Sequence, residues 1–307
     1  MKVLVTGGAG FIASHVSDAL VAAGHDVVVL DDLSSGKRAN VPAAASFHQV
    51  DVQDADAVAA LMRTERPEVL CHHAAQMSVR RSVEDPAFDA RVNLVGLLNL
   101  MEHGRANGLR RVVLASTGGA IYGEQDCFPA PETHPTNPLS PYGVAKLASE
   151  RYLYFYSQQY GIPYVALRYA NVYGPRQSPH GEAGVVAIFI ERMLRGEQPV
   201  INGDGLQTRD YVFVGDIVRA NLKALTSDFC GALNLGTGVE TDVNTIFRSL
   251  VRIGGFPTEE IHGPGKPGEQ QRSVIDAGLA ASVLGWRPEV DLASGLGQTL
   301  AWFRDRV

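Results

Sequence analysis

Val3-Leu4-Val5-Thr6-Gly7-Gly8-Ala9-Gly10-Phe11-Ile12-Ala13 stands almost at the start of the chain, and its order of residue types decides the fold. A short β-branched run, residues 3–5, reads as a strand. It passes without a spacer into the pattern G-x-x-G-x-x-A, and residues 11–23 then read as a helix. Glycine lets the backbone turn sharply between the two elements and come close to a pyrophosphate. The helix N-terminus that follows offers unpaired N–H groups and a favourable dipole to the same anion. Ala13, where a third glycine often stands, is small enough for close helix–strand packing. The chain has 32 glycines, so the pattern alone arises easily by chance. The strand immediately before it and the helix immediately after it give it meaning.

Working outward, residues 27–30, 47–50, 69–71, 111–115 and 164–167 read as further strands. Residues 54–63, 89–107 and 142–160 read as the helices between them. The strands are nearly continuous apolar runs rather than alternating ones, which predicts a parallel sheet covered by helices on both faces. The fold class is therefore α/β, a Rossmann-type doubly wound parallel sheet. Residues 1–170 are expected to form its dinucleotide-binding part, with segments near 205–238 returning to it. Beyond residue 170, glycine and proline punctuate the chain around helices at 185–195 and 214–225. Residues 171–307 are expected to form mainly a smaller C-terminal substrate-binding region. Asp31 closes the second strand, about twenty residues after Gly10, where an acid hydrogen-bonds the ribose hydroxyls and repels a 2′-phosphate. No lysine or arginine follows until Lys37, so the cofactor expected is NAD rather than NADP.

The 307 residues carry 33 acidic and 27 basic side chains, a net charge of −6, and no basic run. That balance speaks against nucleic acid or an anionic membrane as partner. Cys71, Cys127 and Cys230 are far apart, with no C-x-x-C pair and no ligand spacing to a nearby histidine, so no metal site is expected. A sparse, odd set of cysteines fits a reducing cytoplasm. No leader pattern precedes the first strand, and no run approaches the roughly 20 apolar residues of a membrane helix.

Tyr142 and Lys146, spaced i and i+4, share one helix face. A free phenol, with a pKa of about 10, is a poor base near neutrality. A nearby ammonium, together with a positive nicotinamide ring, would favour the phenolate. On spacing alone, a surface Tyr–Lys pair is as good a reading. Ser116 and Thr117 end the strand at 111–115, where ligand groups gather in an open parallel sheet; a plain strand-end turn reads equally well.

Taken together, these stretches resemble the extended short-chain dehydrogenase/reductases, and among them the UDP-glucose 4-epimerases. The matching motifs are TGGAGFIASH from Thr6, DDLSSG from Asp31, Asp51-Val52, HHAA from His72, and Val92-Asn93 with Gly96. STGGAIYG from Ser116, Tyr142 to Lys146, RYANVYGPR from Arg168, GDGLQTRDYVFVGD from Gly203 and NLGTG from Asn234 follow in family order. The resemblance implies a bound NAD that takes a hydride from sugar C4 and returns it to the other face. Tyr142 would be the base, Lys146 would hold the nicotinamide ribose, and Thr117 would orient the 4-oxygen, with Ser116 or the Gly118 backbone close by.

The resemblance also implies that Gly7, Gly10, Phe11 and Ile12 meet the pyrophosphate side, and that Asp31, Asp32, Ser35 and Gly36 meet the adenosine ribose. Asp51 and Val52 would meet the adenine. His73, Ala74, Ala75, Gln76, Asn93 and Tyr169 would line the rest of the cofactor. On the substrate side it implies Asn171, Arg209, Glu269 and Arg272 at the ribose and diphosphate, and Val185, Val186 and Asn202 around the uridine. Gly118-Gly119 stand where sugar-nucleotide dehydratases carry an Asp-Glu pair. Asn171 and Ser178 lean toward a neutral sugar. Ser273 leaves N-acetylated sugars open, and a glucuronate epimerase or another nucleotide-sugar oxidoreductase also remains. A non-catalytic NAD-binding protein is opposed by the intact Tyr142 and Lys146. The apolar and aromatic set Leu147, Tyr152, Leu153, Tyr154, Phe155 and Tyr156 wraps more than one helix face, which predicts a homodimer.

Overall fold

The computed structural model describes residues 1–179, 184–265 and 270–306. Its strands are β1 Lys2–Thr6, β2 Asp26–Asp31, β3 Ser46–Gln49, β4 Val69–His72, β5 Arg111–Thr117, β6 Tyr164–Tyr169 and β7 Asn171–Tyr173. They continue as β8 Ile201–Asn202, β9 Thr208–Phe213, β10 Gly231–Leu235, β11 Glu240–Asp242, β12 His262–Gly263 and β13 Arg272–Ser273. The α-helices are α1 Phe11–Ala22, α2 Ala55–Glu65, α3 Val79–Glu84, α4 Pro86–Ala90, α5 Gly96–Arg105 and α6 Pro141–Tyr160. After them come α7 Val185–Leu194, α8 Val214–Thr226, α9 Val243–Gly254, α10 Gly278–Leu284 and α11 Leu292–Arg304.

Seven strands form one sheet in the order β10-β6-β5-β4-β1-β2-β3. Every pair in it is parallel. The chain winds outward from β1 in one direction through β2 and β3, then in the other through β4, β5 and β6, so the strand order reverses beside β1. Ligands bind at the carboxyl ends of the strands at such a switch point. The continuous apolar runs have the expected cause: β4 and β6 are buried at every residue. Two apolar layers cover the sheet, one around Val16, Leu20, Ile217 and Trp286, the other around Leu61, Met62, Leu100 and Leu153.

The return expected near residues 205–238 takes a definite form. β10 is the seventh strand, in register with β6 from Gly231 opposite Val165 to Leu235 opposite Tyr169. A third apolar cluster lies among α7, α9 and α11, with Phe189, Phe247 and Phe303 at its centre. Beside it, β9 pairs with β7, β11 and β13 in a smaller sheet.

The helix expected over 89–107 forms as a continuous helical run from Pro86 to Arg105 with one irregular turn. Helix α4 begins at Pro86, Arg91–Val95 make a π-helical turn, and α5 follows. The turn lies against α6, where the Ser149 hydroxyl donates to the Ala145 carbonyl at 2.8 Å and stands 3.3 Å from the Asn93 carbonyl. Such turns are frequent at functional sites. Among the described residues no helix is long and apolar enough to cross a membrane.

Candidate active site

The glycine turn is shaped by what it touches. Gly7 has φ +69°, and a Cβ there would stand 2.8 Å from the Ala74 amide nitrogen. At Gly8 a Cβ would lie 2.6 Å from Val29 Cγ1. Neither position has space for a side chain, so the turn lies tightly against β2 and the end of β4. Asp31 is 6 % exposed and braces the turn: its two carboxylate oxygens accept from the Ala9 and Leu33 amides at 2.9 and 2.8 Å. Burial pushes its carboxyl up, and those two amides oppose the shift. Gly10 caps α1 without a side chain, which leaves the first amides of α1 without intrahelical partners. That cradle fits a pyrophosphate.

The rest of the cofactor wall comes from neighbouring strand ends. The Thr6 hydroxyl accepts from the His73 and Ala74 amides at 3.2 and 3.1 Å, fixing the loop after β4 to β1. Burial and then the Lys146 charge push His73 down to about 4, despite an opposing backbone contact, so it is neutral at physiological pH. Its Nε2 lies 3.2 Å from the Tyr169 hydroxyl, while its Nδ1 is buried without a partner. Val52 is buried; Asp32, Ser35 and Asp51 are exposed at the outer end of this surface, with Gly36 half-buried beside Asp31.

One member of the site was not legible in the sequence. Asp89 reads there as an ordinary acid near a helix start, yet it is 1 % exposed. One of its oxygens accepts from Gln76 Nε2 at 2.8 Å and from Asn93 Nδ2 at 2.9 Å. Its other oxygen and Asn93 Oδ1 are buried without partners. The only advance signal was that Asp89 stands four residues before Asn93, on the same helix face. Tyr142 and Lys146 lie within reach of this carboxylate's charge.

Helix α6 starts at a Ser140 cap with Pro141 in its first turn, which presents Tyr142 and Lys146 at its N-terminal end. Lys146 Nζ lies 5.9 Å from the centre of the Tyr142 ring and donates to the Ala115 carbonyl at 3.0 Å. Burial pushes Lys146 down to about 8, opposed by Asp89 and Glu150. Tyr142 departs from expectation: burial, and then Asp89, hold its hydroxyl above the ordinary phenol value. Making it a base therefore requires positive charge beyond what the chain alone supplies, and the oxidised nicotinamide ring is the expected source.

The two hydroxyls of β5 separate, because side chains alternate across a strand. Ser116 is 4 % exposed and donates to Glu150 Oε1 at 2.6 Å, so the hydroxyl expected to serve a substrate is committed to the core. Glu150 in turn holds Arg168 through two hydrogen bonds of 3.0 and 2.7 Å, and Arg168 donates to the Tyr122 hydroxyl at 2.9 Å. Thr117 is half-buried and faces the other way. Its Oγ1 and Asn171 Oδ1 both lie within 4.0 Å of the position a Cβ on Gly119 would take. At Gly118 a Cβ would stand 2.6 Å from Ile275 Cδ1, so a larger residue there requires the end of that side chain to move.

The remaining substrate-side residues are only partly gathered. Arg209 and Arg272 sit on the paired strands β9 and β13. Arg272 is engaged by Glu240 at 2.9 and 2.7 Å and lies over the Phe128 ring. Val186, expected beside a base, is 1 % exposed inside the C-terminal cluster, because the inward face of α7 is packed against α9 and α11. Val185 is half-buried, and Asn202 is exposed on β8. Glu269 lies outside the described residues.

Comparison with known proteins agrees with this geometry. Residues 3–236 match the model of the NAD dependent epimerase/dehydratase family. A UDP-glucose 4-epimerase of Mycolicibacterium smegmatis is 47% identical over 312 residues, covering 100% of this chain and 99% of the relative. The structure is similar to that of a UDP-glucose 4-epimerase of Thermotoga maritima with UDP-glucose, at TM-score 0.97 and 49% identity over 99% of each chain. It is also similar to a Thermus thermophilus UDP-glucose 4-epimerase in complex with NAD, at TM-score 0.95 and 47% identity over 100% of each chain. With its glycine cradle, its acid-capped second strand and its paired tyrosine and lysine, the chain belongs to the NAD dependent epimerase/dehydratase family.

Proposed function

We propose that the protein is an NAD-dependent UDP-sugar 4-epimerase that interconverts UDP-glucose and UDP-galactose. The observation that carries this is the pairing of Tyr142 with Lys146, whose Nζ reaches the Ala115 carbonyl of β5, together with the approach of Thr117 and Asn171 at the carboxyl end of the same strand. Bound NAD supplies a hydride acceptor and donor, so the sugar passes through a 4-keto form and no redox equivalent is consumed. Tyr142 takes the proton of the 4-hydroxyl and later returns one. Thr117 Oγ1 orients that oxygen. Lys146 holds the nicotinamide ribose, and Asp31 together with Asp32, Ser35 and Gly36 holds the adenosine ribose.

Gly7, Gly10, Phe11 and Ile12 cradle the pyrophosphate, Asp51 and Val52 border the adenine, and His73, Ala74, Ala75, Gln76, Asn93 and Tyr169 line the cavity between. Arg209 and Arg272, with Asn171, would meet the substrate diphosphate, where guanidinium groups suit bidentate contact; Arg272 would have to exchange Glu240 for it. Incubation with a panel of UDP-sugars and no added NAD tests the reading. Turnover of UDP-galactose to UDP-glucose supports it. Turnover of the N-acetylated or glucuronate sugars alone, or net accumulation of NADH, overturns the substrate or the reaction type.

The buried Asp89 gives this mechanism a pH signature. Its negative charge holds the Tyr142 proton on and also keeps Lys146 charged. In Asp89→Asn both groups release their protons at lower pH. With the oxidised cofactor bound to bring the tyrosine into range, the acid limb, set by the tyrosine, and the alkaline limb, set by the lysine, therefore both move down. The whole pH–rate bell is expected to shift toward acid by on the order of one unit. A profile of kcat/KM against pH that coincides with the parent's would show that the carboxylate does not act on either group.

The predicted homodimer keeps its support. Leu153 and Tyr156 are core residues, but Tyr152, Tyr154 and Phe155 on α6 are 40, 56 and 46 % exposed. A second copy covering this face gives twice the monomer mass by light scattering at micromolar concentration; a monomer mass overturns it. The three unpaired thiols fit a reducing, cytoplasmic setting.

A further inference from the structure

Cys127 and His134 have no metal-ligand spacing in the sequence, yet the loop that carries them folds them together with Asp126. One donor atom from each of Asp126, Cys127 and His134 lies within 4.8 Å of the other two. The histidine is the anchor. It is 6 % exposed and packed edge-on against the buried Tyr122 ring, with centroids 5.4 Å apart. Its Nδ1 lies 2.7 Å from the Pro135 carbonyl, which can only accept, so the proton sits on Nδ1. That is the arrangement that orients a metal-binding imidazole and leaves Nε2 as the acceptor, turned toward Asp126.

Two groups converge on that lone pair. The Asp126 amide donates to Nε2 at 3.1 Å, and an Asp126 carboxylate oxygen stands 2.8 Å from the same nitrogen. A carboxylate oxygen and an imidazole lone pair repel at that distance unless positive charge lies between them. A proton could supply it for two donors. The third donor, the exposed Cys127 sulfur, points instead to a soft cation.

We propose that Asp126, Cys127 and His134 form a binding site for a thiolate-preferring divalent cation of the zinc(II) class, with water as fourth ligand. An ion about 2.0–2.3 Å from each donor requires the Cys127 sulfur to draw in by up to roughly an ångström, and the Asp126 oxygen and amide to part from Nε2 by about half an ångström. Two of them are exposed side chains on a loop, so the movement needs no change in the core. On binding, the Cys127 thiol proton leaves to solvent and the sulfur binds as thiolate. The same loop supports the substrate side of the cleft. Ala130 exchanges hydrogen bonds with Val274 and Asp276 at 3.0 and 2.9 Å, Gln125 accepts from the Val274 amide at 3.0 Å, and Arg272 lies over the Phe128 ring. A bound ion therefore ties down the segment on which Arg272 rests.

The test is titration of the full chain, stripped of metal and kept reduced, with zinc(II) and with cobalt(II). The site binds about one equivalent, and cobalt gives the near-ultraviolet thiolate charge-transfer band. Cys127→Ser abolishes that band, and Asp126→Asn weakens binding by about tenfold or more. Equal zinc affinity in the parent and Cys127→Ser overturns the proposal, as does a parent that binds cobalt without the band. Circular dichroism of both variants, whose substituted side chains are exposed, confirms that any loss is not unfolding.

Discussion

Tyr142→Phe is expected to lower kcat by about 10²–10⁴-fold, with the KM for the UDP-sugar little changed. Phenylalanine keeps the ring and its place 5.9 Å from the Lys146 ammonium, so the site stays packed. In the proposed mechanism, what is lost is the oxygen that exchanges a proton with the sugar. The change falls on kcat because that oxygen acts as charge develops rather than in holding the nucleotide. The geometry sharpens the expectation, since burial and Asp89 make the phenol a reluctant acid in the protein alone. Its proton leaves readily only when positive charge stands next to it, which couples the base to the oxidised state of the cofactor. Steady-state rates with UDP-galactose measure the effect, and conversion by the variant at the parent rate would remove Tyr142 from the chemistry.

Glu150→Ala is expected to cost about 3–5 kcal/mol of stability, the typical consequence of removing one partner from a buried ion pair. Glu150 and Arg168 are 5 % exposed each. The carboxylate satisfies Arg168 twice and Ser116 once, and Arg168 passes the contact on to Tyr122, which donates to Asn234 Oδ1 at 2.6 Å. Without Glu150 a guanidinium is left buried with one hydroxyl for company. The alanine also leaves Lys146 with one fewer negative neighbour, so the variant that remains folded should lose activity at a lower pH than the parent. Denaturant unfolding gives the stability. A midpoint unchanged from the parent would mean that Arg168 finds water or another acceptor. Glu150→Gln, which keeps the acceptor oxygen and loses the charge, should fall between the two.

Much of the fold was written in the chain because the central strands are buried on both faces. A strand such as Tyr164–Tyr169, buried at every residue, has to be apolar almost throughout, and that is visible without coordinates. The glycine turn was legible for a similar reason, since Gly7 and Gly8 stand where a Cβ meets a neighbouring strand. The two-residue strands β8, β12 and β13 were not, because their hydrogen-bond partners come from distant segments and two residues carry no period.

At the candidate site, the sequence named the motif residues but not the directions of their side chains. Ser116 and Thr117 are equivalent on paper and face opposite sides of one strand. Asp89 was overlooked because a charged residue in a first helical turn reads as solvated, and only packing against α6 buries it. Cys127 was set aside because loop closure, not spacing, brings it together with Asp126 and His134.

The placement of β10 has a consequence for biosynthesis. Strand β6 is buried along its whole length, and one of its edges is covered only by Gly231–Leu235. A nascent chain that has emerged only as far as Leu225 can assemble the six earlier strands, with the unpaired backbone groups of β6 left open to any other extended chain. Ribosomes that stall in that interval, or messages cut short there, would release a polypeptide bearing a complete cofactor turn and an adhesive flank. Such fragments should be found with chaperones or in aggregates, whereas chains that have cleared Leu235 can close the sheet upon themselves.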